Sequence, residues 1–301
     1  MTVAKQSSRD STPPQQASAA PQSPARQAIT MYLRNPAGLL GLLLLSVMIA
    51  VTVFGPWLYP VDPFDMVSLP LSPPGDAGAP PLGTDGLGRD ILAGIIHGGR
   101  ATLAVGLAAA VLTVLIGVSI GALAGYYGGW VDDLLMRVTE LFQVLPPLIF
   151  AMVIVALFTP TLTTIAIAIG VVSWPPVARL ARSEYLRLKE LEYVKAARVC
   201  GARHRWIIWS IILPNAAPPL IVLATLTVGL AILFEAGLSF LGLGDSNVMS
   251  WGLIIGTNRD YILDAWWPVT IPGTAIFLTV LSVSLIGDGL NDALNPRMRE
   301  R

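Results

Sequence analysis

Across Glu192–Asn215, Tyr193, Ala196, Ala197, Cys200 and Gly201 recur at i, i+3, i+4, i+7 and i+8, which is one side of a helix. The chemistry such a side offers is contact, because small side chains let another backbone approach closely. Lys195, Arg198, Arg203 and Arg205 point elsewhere or follow in the next turn. A basic, amphipathic segment of this kind, set between two long apolar runs, suits a helix that grips a soluble partner.

Bond-making chemistry finds little to build on. The single cysteine, Cys200, excludes an intrachain disulfide and a thiolate cluster. Its flanks make it a small residue of a packed, buried face. His97 and His204 are far apart, so no metal site is expected. The lysines are Lys5, Lys189 and Lys195, and none follows a glycine. A phosphate-cradling GxxxxGK[ST] loop is therefore absent, as are G-x-S-x-G and H-E-x-x-H. No catalytic residue is assigned, and the chain is not expected to be an enzyme.

The elements that must hold these residues are membrane helices. The chain is 54% hydrophobic and 13% charged, with a mean hydropathy of +0.67, whereas soluble domains carry roughly 25% charged residues. Zero net charge argues against a nucleic-acid binder. Residues 1–35, rich in Ser, Pro, Gln and Ala at their start, read as a disordered cytoplasmic tail. They are not a signal peptide, since no apolar stretch closely follows Lys5 and Arg9. The rest, 36–301, reads as one transmembrane domain. Charge-free intervals of about 20 residues or more, with the longest split at Thr159-Pro160, give six spans near 37–58, 101–124, 136–158, 162–180, 208–234 and 268–289. Pro36 suits the first position of the first helix. Sixteen of the nineteen Lys and Arg residues fall on one side of this arrangement, leaving Arg89, Arg100 and Arg259 on the other. Both termini are therefore cytoplasmic.

The outer segments are 59–100 and 236–267, and the cytoplasmic segment 181–207 carries the small-residue face. In the first outer loop, GTDGLGRD (83–90) offers Thr84 or Asp85 as the cap of a surface helix through Ile91, Leu92, Ile95 and Ile96. Thr84, Asp85, Gly88, Arg89 and Asp90, with Trp251 of the second outer loop, are candidates for contact with an outer partner or for internal loop structure. Trp251, Tyr261, Trp266 and Trp267 read as an aromatic belt.

Inside the spans ionisable groups are scarce at mid-depth. Arg137 and Glu140 are one turn apart and expected to pair. Glu235 is placed at the outer end of the fifth span. Pro146 and Glu235 are the candidates for a pathway or gate, Pro146 because proline bends helices that line cavities. A secondary carrier or channel would need buried charges or inverted repeats, and neither is evident. The energy must come from another subunit.

From Ala196 the chain reads Ala-Ala, three residues, Gly201, nine residues, Ile211, one residue, Leu213, Pro214. This resembles the EAA loop of the membrane subunits of bacterial ABC importers. Lys195 stands where that motif carries Glu, and Glu192 is the carboxylate one turn earlier. GTDGLGRD, EAGLSFLGLG (235–244), SWG (250–252) and GDGLNDALNPR (287–297) resemble the C-type permease of dipeptide, oligopeptide and nickel importers. The resemblance covers nearly everything after about residue 30. It implies an all-α MetI-like permease fold in the bacterial cytoplasmic membrane and a second, homologous permease. It also implies two ATPase subunits that hold ATP and Mg, and an extracytoplasmic solute-binding protein. Cargo would be a di- or oligopeptide, or alternatively nickel or another small solute. Glu192, Tyr193, Lys195, Ala196, Ala197, Arg198, Gly201, Ala202, Leu213 and Pro214 would then form the segment coupled to the ATPase.

Overall fold

The computed structural model describes residues 24–294. The expected tail therefore lies largely outside the described residues, but its end is ordered. Pro24–Arg34 forms helix α1, where 1–35 was expected to be disordered. Asn35 then caps α2 (Pro36–Leu58): its side chain accepts from the Gly38 amide at 3.0 Å and donates to Asp292 at 2.8 Å. Pro36 opens the helix as expected, its missing N–H being one that no helix start can use.

The second span is longer than its apolar core. α3 (Ile91–Tyr127) is 37 residues, about 55 Å of helix against a hydrocarbon layer of about 30 Å. The surface helix expected over Ile91–Ile96 and the second span are thus one element. Its cap is Asp90, not Thr84 or Asp85: Asp90 Oδ1 accepts from the amides of Leu92 and Ala93 at 2.8 and 3.2 Å.

The third and fourth spans are broken. α4 (Gly129–Val144) and α5 (Pro147–Leu157) meet at 86°, and α6 (Leu162–Ser173) and α7 (Pro175–Leu188) at 45°. Proline explains both breaks. Pro147 and Pro175 lack the donor that a continuing helix needs and instead sit at the first turn of a new one. α8 (Glu192–Val199) is a short helix. α9 (His204–Leu243) is 40 residues long. A wider turn over Ile207–Ile212, with the Leu213 amide on the Ile208 carbonyl, precedes Pro214 and absorbs its ring without breaking the helix. α10 (Trp251–Asn258) and α11 (Trp267–Leu294) complete the chain. Four helices are each long and apolar enough to span, and counting each bent pair as one span brings the number to six. Six crossings leave both ends on the same side.

The core is a column of clusters. The innermost gathers Tyr126, Tyr185, Val194, Ile207 and Ile212, the middle one Val105, Val155, Ile169 and Leu238, and the outer one Ile232, Trp251 and Ile276. α3 contributes to each. Along its flank Gly117, Gly121 and Gly125 face α7 so closely that a Cβ on Gly117 would lie 2.6 Å from Val177, and one on Gly125 2.7 Å from the Arg182 carbonyl. This is small-residue packing of membrane helices.

Candidate functional site

α8 is pinned by one side chain. Val194 is buried in the inner cluster, a contribution of about 1.5–3 kcal/mol for a fully buried valine. Everything around it faces out: Glu192, Tyr193, Lys195, Ala196, Arg198, Val199 and Cys200 are exposed, and Ala197 is half-buried. Val199, at the tip of α8, is 88% exposed. Cys200 is exposed as well, which corrects the expectation of a buried residue. It sits at the helix end, one turn beyond the face that Val194 buries.

Gly201 ends α8 with φ +81°. The Ala202 amide donates to the Ala197 carbonyl at 3.1 Å and the Gly201 amide to the Arg198 carbonyl at 3.0 Å. That pair is the Schellman closure, which needs a left-handed residue. No atom lies within 4 Å of where a Cβ would stand, so the requirement for glycine within this chain is conformational. Lys195, at the position where the motif carries Glu, lies 3.4 Å from Glu190, while Glu192 has no ion-pair partner among the described residues. Leu213 and Pro214 do not join this surface. They lie in α9, beyond the wider turn, and Leu213 packs on the inner cluster.

Several residues the motif does not mark tie together the elements around α8. The Tyr126 hydroxyl and His204 Nδ1 share a hydrogen bond of 2.7 Å, and the Arg198 guanidinium lies over the Tyr126 ring at 5.6 Å. Lys189 donates to the Gly125 carbonyl at 2.8 Å, and Tyr185 to the Ile208 carbonyl at 3.1 Å. Arg182 forms a two-pronged pair with Asp132 at 2.5 and 2.6 Å, tying α7 to α4. The expected pairing of Arg137 with Glu140 is not made. Both line a cleft of about 580 Å³ with Asp133, Arg179 and Arg182.

That cleft shares Arg179 with a mostly apolar cavity of about 480 Å³ at the two helix breaks, lined by Phe142, Gln143, Pro147, Ser173, Thr227 and Phe234 among others. Arg179 donates to Gln143 at 2.6 Å. The Ser173 hydroxyl is buried without a partner. Broken backbone at membrane depth persists only where protein or a water-filled cavity receives its polar groups, which gives the breaks and the cavity one explanation. Pro146 stands at the sharper break, and Pro147 beside it lines the cavity. Glu235 does not line it. Its side chain is 1% exposed, with Ser239 donating to one oxygen at 2.9 Å and no partner on the other. The hydroxyls of Ser250 and Thr102 also face it. The sequence placed it at the outer end of a span but not inside the packing of α3, α9 and α10.

The outer candidates are largely internal. Thr84, Asp85, Asp90 and Trp251 are buried, which favours internal loop structure over partner contact for these four. Thr84 donates to the Leu69 carbonyl at 2.6 Å and accepts from the Ser72 amide at 2.9 Å. Asp85 accepts from the amides of Leu87 and Arg89, both at 2.8 Å. Tyr59 donates to Asp90, and its phenol is pushed up to about 12, by burial first and then by that hydrogen bond and charge. Gly88, at φ +80°, turns against the Ser68 carbonyl, and Arg89 lies over the Phe64 ring. The Trp251 indole donates to the Ile95 carbonyl at 2.9 Å, and that of Trp267 to Thr84 at 3.0 Å. Neither is the belt residue expected, whereas Trp266 is exposed.

The family described as "Binding-protein-dependent transport system inner membrane component" matches residues 117–300, and that described as "N-terminal TM domain of oligopeptide transport permease C" matches 23–74. The chain belongs to the binding-protein-dependent transport permeases. It is 39% identical over 283 residues to the Di/tripeptide transport system permease protein DppC of Pseudomonas aeruginosa, covering 92% of this chain and 93% of that protein. It is 38% identical over 283 residues to the Dipeptide transport system permease protein DppC of Alkalihalophilus pseudofirmus, covering 92% and 91%. To the Glutathione transport system permease protein GsiD of Pectobacterium atrosepticum it is 34% identical, covering 92% of each. Its fold resembles that of a chain of the MetNI methionine ABC transporter in an inward-facing conformation, with TM-score 0.55 and 20% identity over 66% of this chain and 94% of that one. This permease is a multi-pass inner-membrane transport component. As a permease of an ABC importer it works with ATPase and binding-protein partners.

Proposed function

We infer that this permease carries di- and oligopeptides inward, driven by ATP that it does not itself bind. Two ATPase subunits hold ATP and Mg, a second homologous permease completes the pathway, and a solute-binding protein delivers cargo from outside. The observation that carries this reading is α8: a cytoplasmic helix with one buried anchor, an apolar residue at its tip and small residues outward. Closure of the ATPases would displace α8. The displacement would reach α9, which begins three residues beyond Gly201, and the cavity at the helix breaks that α9 helps to line. Such a bias between two packed arrangements is how one bound state drives another. Peptide cargo rests on the names of the relatives, glutathione being itself a peptide.

The test is Ala197→Trp in the assembled transporter. Uptake of a radiolabelled dipeptide should fall to background, with membrane insertion unchanged and the ATPase subunits no longer co-eluting. Normal uptake by that variant refutes the docking role.

A further inference from the structure

The outer half carries two cavities away from α8 and from the helix breaks. The upper, about 450 Å³, is lined by Asp62, Phe64, His97, Arg100, Asn247 and Met249 among others. The lower, about 290 Å³, is an apolar seam between α3 and α6 whose walls include Ala104, Ala108, Leu112, Ala166 and Ile167. Ala104 and Leu162 belong to both, so the two form one mostly apolar groove whose charged side chains all lie at its head. Arg100, Ala104 and Ala108 lie four residues apart on one side of α3, and Ala104 to Leu112 covers about 12 Å of helix.

The head is unbalanced. Arg100 Nε donates to the Thr52 carbonyl at 2.9 Å and Nη2 to that of Val53 at 3.0 Å. This fixes the guanidinium about one and a half turns inside Leu58, the end of α2, close to the exposed Trp57. Of the other outer arginines, Arg89 lies over Phe64 at 5.2 Å, and Arg259 over Phe240 at 5.5 Å with Asp260 at 3.7 Å. Among the described residues Arg100 has no ring or carboxylate against it, and its Nη1 donates to nothing. The exposed Arg100 guanidinium therefore keeps donor capacity for a ligand in the groove. His97 Nε2, in the same wall, is buried without a partner. The exposed Asp62 carboxylate lines the same pocket.

We propose that this groove binds one outer-leaflet glycerophospholipid with an amino headgroup. Its phosphate meets Arg100, with His97 beside it, its ammonium meets Asp62, and one acyl chain lies in the seam between α3 and α6. Inorganic phosphate would fill only the head. An apolar helix of the partner permease would cover the seam and leave the arginine unpaired.

The test delipidates the complete transporter and counts retained phospholipids by native mass spectrometry. It then titrates phosphatidylethanolamine, phosphatidylglycerol and inorganic phosphate, with thermal unfolding of each variant measured alongside. Wild type should hold one phosphatidylethanolamine through delipidation. Arg100→Gln should weaken it about tenfold, the loss of a charge-assisted hydrogen bond. Asp62→Asn should remove the preference for ethanolamine over glycerol. Ala104→Phe, which leaves the Arg100 contacts to α2 intact, should abolish retention by filling the seam. Equal retention by all variants, displacement of the lipid by phosphate alone, or a photo-crosslinker at position 104 that captures the partner permease instead of lipid, each overturns the proposal.

Discussion

Gly201 separates two reasons for a glycine. Its φ of +81° is costly for most residues, while the space beside it is open. Asparagine enters the left-handed region more readily than other non-glycine residues, so Gly201→Asn should keep the α8 closure and Gly201→Val should lose it, at about 1–2 kcal/mol. ATP-driven dipeptide uptake checks this. Retention by both variants means the turn does not govern coupling, and loss by both means the surrounding space is claimed by a partner. Other residues changed meaning once placed. Asp85 and Asp90 are loop and helix caps, Thr84 and Trp251 are knots between the outer segments, and Glu235 is a packed carboxyl rather than a pathway lining. Each can hydrogen-bond and lies in or beside an outer segment, and sequence alone does not say whether its partner is another protein or its own chain.

Among the elements, α3 and α7 meet most closely, along Gly117, Gly121 and Gly125. A Cβ on Gly121 would collide with the Ala178 carbonyl. Gly121→Leu should part the helices and destabilise the domain by about 1–3 kcal/mol or more, seen as a lower midpoint of thermal unfolding in detergent. Leu115→Ala, at a position 61% exposed on the same helix, should leave that midpoint unchanged. The four-residue spacing of those glycines is visible in the sequence, but counting charge-free intervals does not register it. The same counting makes straight spans of 136–158 and 162–180. What it misses is that Pro147 and Pro175 each start a helix, so that the preceding segments, α4 and α6, turn away by 86° and 45°.

For the molecule as a whole, two full-height helices join its faces. α3 runs from the outer Asp90 cap to the Gly125 carbonyl that Lys189 holds, and α9 runs from the end of the coupling segment to the packing around Trp251. The lone cysteine makes the topology testable without any substitution, because Cys200 is exposed at the end of α8, on the face expected to be cytoplasmic. A membrane-impermeant maleimide should label inverted membrane vesicles and spare intact spheroplasts. Co-assembled ATPase subunits should slow that labelling. Labelling from outside would reverse the orientation and with it the role of α8.

Hydropathy determined, from sequence alone, that this is a helical membrane protein of up to six crossings, and the bias of Lys and Arg predicts its small-residue helix in the cytoplasm. Both follow from the solvent, because lipid excludes charge residue by residue and needs no knowledge of neighbours. The family motif located Ala196, Ala197 and Gly201 for the same local reason, as a fixed spacing on one helix and its closing turn. Tertiary structure alone decided which polar groups answer one another. Arg182 finds Asp132 across 50 residues, and the Gly86 amide finds Asn258 across 172. It also decided that Arg100 is left facing an open groove. Such pairings depend on distances between segments far apart in the chain, and no periodicity along the chain encodes them.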